Sequence, residues 1–310
     1  MPIKLQTNTP TILIIGGCGF IGSNLTLTFL KQDWNVIVLD PAPWPFNIPF
    51  SRLTHFQGTL ENRTIVKEVF KKKPNVILHA YSGFKGTSDF EATIHDLHSN
   101  VEPSVFLMSQ TLLNRSSQFV FISSGGAIYG QSKRLPIRET YPLAPISDYG
   151  QSKRIFESYI EYYSSKGLDS LVFRPGNIYG PHQMSSSNLG LINELLKGII
   201  EDRPIPVFGN GIRDYLHVED FCRGVFMAIN QKLNGVFNIG TGTGSSIEQI
   251  IDLIKETTGV APKVDKQPAR KGDVLSNILN VDKLKNALEW QPQINLKSGI
   301  NELWRKKIGK

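Results

Sequence analysis

Tyr149 and Lys153 stand four residues apart in a stretch, Asp148 to Ser165, whose apolar spacing predicts a helix. Side chains at this spacing project from one face of a helix, so an ammonium group can lie close to a phenol. A phenol ionises at about pH 10, and a neighbouring positive charge favours the phenolate. The pair therefore suits removal of a proton from a substrate hydroxyl, with Tyr149 as the acid/base group and Lys153 lowering its pKa.

A polar turn, Ser123-Ser-Gly-Gly126, precedes this helix and ends the apolar strand pattern Gln118 to Ser123. In a parallel sheet, the carboxyl ends of the strands border the ligand crevice. A serine hydroxyl at that edge would orient the substrate oxygen from which Tyr149 takes the proton. We assign this orienting role to Ser124, with Ser123 as the alternative.

A glycine-rich turn connects a strand pattern, Thr11 to Ile15, to a helical pattern that begins at Phe20. Two registers fit, Gly16-x-x-Gly19-x-x-Gly22 and Gly17-x-Gly19-x-x-Gly22. Glycines at such positions allow a sharp turn, the approach of a diphosphate to the backbone, and close packing of the helix on the strand. The N–H groups at the helix start would face the phosphates. The predicted cofactor-binding residues of this turn are Gly16, Gly19, Phe20, Ile21 and Gly22.

Asp40 follows Gly22 by 18 residues and ends a second strand pattern, Asn35 to Leu39. A carboxylate at this place accepts hydrogen bonds from the hydroxyls of an adenosine ribose and repels a 2′-phosphate. The sequence thus favours NAD over NADP as the cofactor. The alternative is an aspartate that only starts the proline-rich loop Pro41 to Pro49.

Strand and helix patterns continue to alternate along the first half of the chain. The further strands are Leu53 to Gln57, Asn75 to Ala80 and Gln118 to Ser123, and the helices between them are Glu61 to Lys72 and Asp96 to Leu113. This alternation predicts an α/β protein with a Rossmann-type, doubly wound parallel sheet. In the second half, helices are predicted at Asn188 to Ile200, Ser245 to Thr258 and Val281 to Leu288.

Composition excludes several classes of protein. The two cysteines cannot form a disulfide framework, and no paired Cys or His spacing predicts a metal site. The net charge of +7 is accompanied by no nucleic-acid-binding motif. No apolar stretch reaches the length of a membrane span, and no signal-type segment is seen, so we expect a cytoplasmic protein that contacts neither membrane nor nucleic acid.

With these motifs together, the chain resembles the extended short-chain dehydrogenases/reductases, specifically the nucleotide-sugar epimerases and dehydratases. The resemblance runs nearly end to end. Besides the motifs above, it is carried by Ser123-Ser-Gly-Gly-Ala-Ile-Tyr-Gly130, Phe173-Arg-Pro-Gly-Asn-Ile-Tyr-Gly-Pro181, Gly209-Asn-Gly-Ile-Arg-Asp-Tyr-Leu-His-Val-Glu-Asp220, Phe237-Asn-Ile-Gly240 and Arg270-Lys-Gly-Asp273.

The resemblance implies further roles. Asn177 would lie near the substrate diphosphate, Arg213 and Arg270 would bind its phosphates, and Lys153 would also contact the nicotinamide ribose. Arginine forks suit phosphate oxygens. The alternatives are salt bridges of Arg213 with Asp214 or Glu219, and of Arg270 with Asp273.

The sequence departs from the family pattern at several positions. Gly125 occupies the place, counted back from Tyr129, that often carries the catalytic hydroxyl; Ser124 keeps the expected separation of 25 residues from Tyr149. Thr59 replaces an acidic residue that follows the third strand. The turn after Ser124 has glycines where the dehydratases carry an Asp-Glu pair, which argues against elimination of water. Neither cysteine matches the 3,5-epimerising reductases.

By this resemblance, residues 1–176 would form the NAD-binding domain, with a strand and helix from about 216–239 returning to it, and residues 177–310 a smaller nucleotide-sugar-binding lobe. The implied activity is that of an NAD-dependent nucleotide-sugar 4-epimerase similar to UDP-glucose 4-epimerase, which oxidises C4 transiently. The alternatives are a 4-keto-6-deoxy nucleotide-sugar reductase that consumes NAD(P)H and a non-catalytic dinucleotide-binding protein. The family also implies a homodimer.

Overall fold

The computed structural model of the protein describes residues 9–47, 51–82, 90–115, 117–183, 190–270 and 272–309. The predicted start of a helix at Asn188 and the second residue of the motif Arg270-Lys-Gly-Asp273 lie outside these ranges.

The strands are β1 (Thr11–Ile15), β2 (Asn35–Asp40), β3 (Leu53–Gln57), β4 (Val76–His79), β5 (Gln118–Ile122), β6 (Ser170–Pro175), β7 (Asn177–Tyr179), β8 (Ile205–Phe208), β9 (Ile212–Arg213), β10 (Tyr215–His217), β11 (Gly235–Ile239), β12 (Val264–Gln267) and β13 (Ser276–Asn277). The α-helices are α1 (Phe20–Lys31), α2 (Arg63–Phe70), α3 (Phe90–Asp96), α4 (Glu102–Leu113), α5 (Gly125–Ile128), α6 (Asp148–Ser164), α7 (Leu191–Ile200), α8 (Val218–Asn230), α9 (Ile247–Thr258), α10 (Asp282–Leu288) and α11 (Leu296–Lys307).

Seven strands form one parallel sheet in the order β11-β6-β5-β4-β1-β2-β3. The central strand β1 pairs with β2 on one side and β4 on the other. Its sequence Thr-Ile-Leu-Ile-Ile is almost entirely apolar, as required of a parallel strand whose two faces are both covered. The predicted α/β class with a doubly wound parallel sheet is confirmed.

The predicted helix Asp96 to Leu113 is wrong as a continuous α-helix. Helix α3 ends at Asp96, a π-helical segment follows at Leu97–Val101, and α4 begins at Glu102. The physical reason is Pro103, which lies in the first turn of α4 and has no amide hydrogen to continue the preceding ladder of hydrogen bonds. The spacing of apolar residues in this segment did not indicate the interruption.

Backbone contacts divide the chain into two compact units. The first comprises Met1–Gly83, Ile94–Phe121 and Tyr159–Ser170, and the second comprises Phe84–Thr93, Ile122–Ser158 and Leu171–Lys310. In the first unit, fully buried apolar residues of β1, β4 and α1 form the core, among them Leu13, Ile77 and Phe29.

The second unit contains a core at which α7, α9 and α11 meet. Its buried members include Leu195, Ile254 and Ile300. Short parallel pairs of strands, β7 with β10, β8 with β12 and β9 with β13, extend this unit. These pairs place Asn177 and Arg213 on neighbouring segments.

Candidate active site

The glycine-rich stretch after β1 has no space for a side chain at three of its four glycines. Gly16 has a φ of +77°, and a Cβ there would lie 2.8 Å from the Cα of Tyr81. A Cβ on Gly22 would overlap the carbonyl oxygen of Gly16, so helix α1 can pack on the turn only with glycine at this position. A Cβ at Gly17 would lie 2.7 Å from the methyl groups of Val38.

Gly19 differs from these three glycines. A Cβ there would have one neighbour, the carbonyl oxygen of Gly16 at 3.4 Å. Gly19 is also the N-cap of α1, so the uncovered backbone lies directly before the N–H groups of Phe20 and Ile21. A helix N-terminus with an open approach fits an anionic diphosphate.

Asp40 is buried at the end of β2, and its two carboxylate oxygens have separate partners. Oδ2 accepts a 3.0 Å hydrogen bond from the amide of Cys18, and Oδ1 accepts a 2.8 Å bond from the amide of Ala42. Each oxygen keeps lone pairs for a further donor. The residue thus starts the following loop and leaves acceptor capacity at the end of β2; its contact with an adenosine ribose stays a prediction.

Cys18 is not a reactive thiol. Its Sγ lies 3.8 Å from Nε2 of His55. Burial, with a contribution from the carboxylate of Asp40, raises the pKa of Cys18 to about 12. The thiol is therefore protonated at neutral pH and contributes packing within the turn.

In the second unit, the side chain of Ser124 hydrogen-bonds the phenol of Tyr149. Burial raises the pKa of Tyr149, and the bond from Ser124 opposes that rise. The expected net lowering of this pKa is thus not seen in the protein alone, because removal of the phenol from water is the larger effect. Ser123 is buried, and its Oγ has no hydrogen-bond partner among the described residues.

Lys153 lies one turn after Tyr149 on α6 and is 5% exposed. Its Nζ donates a 3.0 Å hydrogen bond to the carbonyl oxygen of Ile122, the last residue of β5. The same Nζ lies 5.6 Å from the centre of the Tyr149 ring. The helical spacing therefore places the ammonium beside the phenol, as we expected, and the strand end fixes its position.

The departure at Gly125 has a steric explanation. A Cβ at this position would lie 2.7 Å from Cδ1 of Leu279 and 2.9 Å from the carbonyl oxygen of Arg174. No side chain fits there without movement of β6. The hydroxyl that bonds Tyr149 therefore comes from Ser124, the preceding residue.

Arg213 forms no salt bridge with Asp214 or Glu219 among the described residues. Its Nη1 donates to the carbonyl oxygens of Ile212, at 3.1 Å, and Leu275, at 3.4 Å. Burial lowers the pKa of Arg213. A partly buried guanidinium held by neutral carbonyl groups keeps its charge available for an anionic ligand.

Arg270 likewise makes no salt bridge in the part of the chain that the structure describes. Its Cζ lies 3.7 Å from the ring centre of Phe208, a cation–π contact. The carboxylate of Asp273 accepts a 3.0 Å hydrogen bond from the backbone amide of Arg270, so the motif forms a turn without using the guanidinium. Asn177 is exposed at the start of β7.

Sequence reasoning missed Asp214 as a site residue. This carboxylate is fully buried and accepts hydrogen bonds from Thr241, Gly242 and Leu279. From the sequence, only its neighbour Arg213 in this motif was identified as a site residue. The signal that could have indicated Asp214 is that it is a second charged residue in the same motif.

A parallel sheet with a glycine-rich turn before α1, an acidic residue at the end of β2 and a Ser-Tyr-Lys group defines an extended short-chain dehydrogenase/reductase. Comparison with known sequences gives the same result. The chain belongs to the NAD dependent epimerase/dehydratase family, whose sequence profile matches residues 12–240. NAD is accordingly its cofactor, and the turn and Asp40 fit that molecule.

Solved structures and a curated relative agree with this assignment. UDP-glucose 4-epimerase from Thermotoga maritima, solved with UDP-glucose, is 30% identical, with a TM-score of 0.88 over 96% of this chain and 99% of that one. UDP-glucose 4-epimerase from Thermus thermophilus, solved with NAD, is 29% identical, with a TM-score of 0.86 over 95% and 99%. A UDP-glucose 4-epimerase from Rhizobium leguminosarum bv. trifolii is 28% identical over 95% of this chain and 96% of its own.

Among the described residues, none of the helices combines the length and apolar character needed to cross a membrane.

Proposed function

We propose that the protein is a nucleotide-sugar 4-epimerase that inverts C4 of UDP-glucose, UDP-N-acetylglucosamine or both. The observation that carries the proposal is the hydrogen bond between Ser124 and Tyr149 with the ammonium of Lys153 beside the same ring. Such a group orients one substrate hydroxyl and exchanges its proton, which is what inversion at an alcohol carbon requires. The named relatives support UDP-sugars as the substrate class.

When bound, NAD supplies a reversible acceptor for the hydrogen on C4. Tyr149 takes the proton of the C4 hydroxyl and later returns it, while Ser124 holds that oxygen in place. Because burial raises the pKa of Tyr149, the protonated phenol that returns the proton is the stable form at neutral pH. The nearby charge of Lys153 favours the opposite, deprotonated form during proton removal.

The residues that would bind the substrate most strongly contact its diphosphate. Arg213 and Arg270, which form no salt bridge among the described residues, would bind the phosphate oxygens, and Asn177 would add an amide contact. Inversion requires the 4-keto sugar to present its other face, so strong binding at the diphosphate and weaker binding at the sugar suit this reaction.

Elimination of water is disfavoured by the turn that follows Ser124. Gly125 and Gly126 carry no acid or base, and a side chain at Gly125 would collide with Leu279 and the backbone of Arg174. The turn therefore offers no carboxylate for chemistry at C5 and C6 of the sugar.

Turnover with trace cofactor tests the proposal. Purified protein is incubated with UDP-glucose, UDP-N-acetylglucosamine and their C4 epimers in trace NAD, with products separated by chromatography and reduced cofactor followed by absorbance. We expect the C4 epimer to form without net change in reduced cofactor. Tyr149→Phe should keep NAD binding and lose nearly all turnover.

Two other outcomes would contradict epimerisation. Reduction of a 4-keto-6-deoxy sugar nucleotide with one equivalent of NAD(P)H consumed would identify a reductase. Absence of turnover on every sugar nucleotide, with NAD still bound, would identify a non-catalytic dinucleotide-binding protein.

A further inference from the structure

A buried ion pair joins helix α6, which carries Tyr149 and Lys153, to strand β6. The Nε of Arg174 lies 3.1 Å from both carboxylate oxygens of Glu157, and its Nη2 lies 2.5 Å from Oε2. The side chains of Arg174 and Glu157 are only 6% and 7% exposed. This fork-shaped contact fixes both distance and orientation between the two elements.

The third nitrogen of the Arg174 guanidinium, Nη1, is also hydrogen-bonded. Its Nη1 donates to the hydroxyl of Tyr129 at 2.9 Å and to the carbonyl oxygen of Glu139 at 3.1 Å. The Tyr129 hydroxyl in turn donates to Oδ1 of Asn238 at 2.7 Å. The arginine end of the pair is therefore held by further neighbours, which restrict the movement of the guanidinium.

Glu157 lies on the same helix as Tyr149, and Arg174 lies next to the turn that contains Ser124. Glu157 lies two turns after Tyr149 on α6, at successive four-residue steps that pass through Lys153. The carbonyl oxygen of Arg174 lies 2.9 Å from where a Cβ of Gly125 would be, and Gly125 directly follows Ser124. Arg174 thus contacts the turn with its backbone and the helix with its side chain.

Stability alone does not account for such a pair. Burial of two charges costs hydration energy, and well-packed apolar residues of similar volume are often as stable or more stable. What the pair supplies is a defined placement of one element against another. We propose that Glu157 and Arg174 are positioning residues for catalysis, which set the placement of α6 so that Tyr149 meets Ser124.

This inference rests on the proposed catalytic role of Tyr149. The pair is buried, so its members act through Tyr149 and Ser124 and do not touch the substrate. A loss of the pair should therefore lower kcat and leave KM for the nucleotide sugar nearly unchanged. It should also raise the pKa of Tyr149, because the hydrogen bond from Ser124 lowers it.

The test uses Glu157→Gln and Arg174→Lys in the full-length protein, with activity expressed per folded molecule. The control is Asp220→Asn, which alters another carboxylate–arginine contact, the 2.6 Å pair of the buried Asp220 with Arg223, whose side chain is 31% exposed. We expect kcat to fall about tenfold or more in the first two variants, as for loss of alignment at a reacting centre. The control should lose thermal stability and keep its kcat.

A second measurement does not depend on turnover. With 3-fluorotyrosine at position 149, fluorine NMR follows ionisation of that residue across a pH titration, and its midpoint should rise in Glu157→Gln. An unchanged midpoint together with a kcat that falls no further than in Asp220→Asn would overturn the positioning role. If the wild-type protein turns over no nucleotide sugar, the proposed function fails, and the midpoint alone then decides whether the pair positions Tyr149.

Discussion

The backbone amide of Asn177 donates a 2.6 Å hydrogen bond to the carbonyl oxygen of Asp214. This bond starts the parallel pairing of β7 with β10, so the two motifs that contain Asn177 and Arg213 lie side by side. The side chain of Asp214 fixes the loop after β11 through Thr241 and Gly242. Asp214 therefore organises the segments that carry two of the three predicted diphosphate-binding residues, Asn177 and Arg213.

Asp214→Asn should weaken this arrangement. The carboxylate of Asp214 accepts hydrogen bonds from Thr241 and Gly242. In asparagine an NH₂ group replaces one of the two acceptor oxygens, so N–H donors would face each other. Buried polar groups without partners cost about 1–3 kcal/mol. We expect the free energy of unfolding to fall by about that amount and KM for the nucleotide sugar to rise. The matched control is Asp265→Asn, an exposed carboxylate whose one side-chain hydrogen bond among the described residues comes from Gln267. Equal urea midpoints for the two variants would exclude the role of Asp214.

Replacing each serine of the turn separates their roles. Ser124→Ala should lower kcat by about 10²-fold or more, the range for loss of a positioned proton-exchange group, because Tyr149 loses its bonded hydroxyl. The limb of the pH–rate profile that reports Tyr149 should move to higher pH, since the bond from Ser124 lowers that pKa. Ser123→Ala should keep kcat close to that of the wild type. A reversed order of the two variants would assign the catalytic hydroxyl to Ser123.

Alanine at two glycines tests the packing of the cofactor turn. In Gly22→Ala the new methyl group overlaps the carbonyl oxygen of Gly16, so the free energy of unfolding should fall by about 1–3 kcal/mol, the usual cost of overpacking. In Gly19→Ala the nearest atom lies at 3.4 Å, so stability without NAD should change little while NAD affinity falls. Chemical denaturation and NAD titration measure the two effects. Equal stabilities of the two proteins would contradict the packing argument.

His217 makes stability depend on pH. At the N-cap of α8, its buried ring accepts a hydrogen bond from the backbone amide of Glu219. The ring also lies 3.6 Å from the carboxylate of Glu302 and packs against the ring of Tyr179. Burial lowers the pKa of His217, although Glu302, Glu219 and Asp220 oppose that change and Lys306 adds to it. In the unfolded chain this histidine takes up a proton near its ordinary pKa of about 6.5, whereas in the folded protein it does so only at lower pH. Protonation therefore favours the unfolded chain, and the free energy of unfolding should fall as the pH drops below that value.

The expected slope for this one group approaches about 1.4 kcal/mol per pH unit at most. Urea unfolding at several pH values between 7.5 and 5 measures it. His217→Asn retains a side-chain acceptor for the N-cap and has no group that titrates in this range, so its stability should depend less on pH. An identical slope in both proteins would show that His217 is not the source.

Local patterns determined a large part of this protein. The glycine-rich turn, Asp40 and the pair Tyr149 and Lys153 could be predicted because each depends on neighbouring residues and on the periods of strand and helix. The parallel sheet followed from the alternation of those elements. The division at residue 176 and the homodimer stay predictions.

Tertiary structure decided which distant groups meet. Ser124 bonds Tyr149, and the residue after it has no room for a side chain because strand β6 and Leu279 occupy the space beside Gly125. Arg213 and Arg270 keep their charges unpaired by the described carboxylates because parallel strand pairing and a stacked phenylalanine hold them elsewhere. The pairing of Arg174 with Glu157 and the burial of Asp214 depend on which side chains lose contact with water when the elements pack, and no local spacing encodes that.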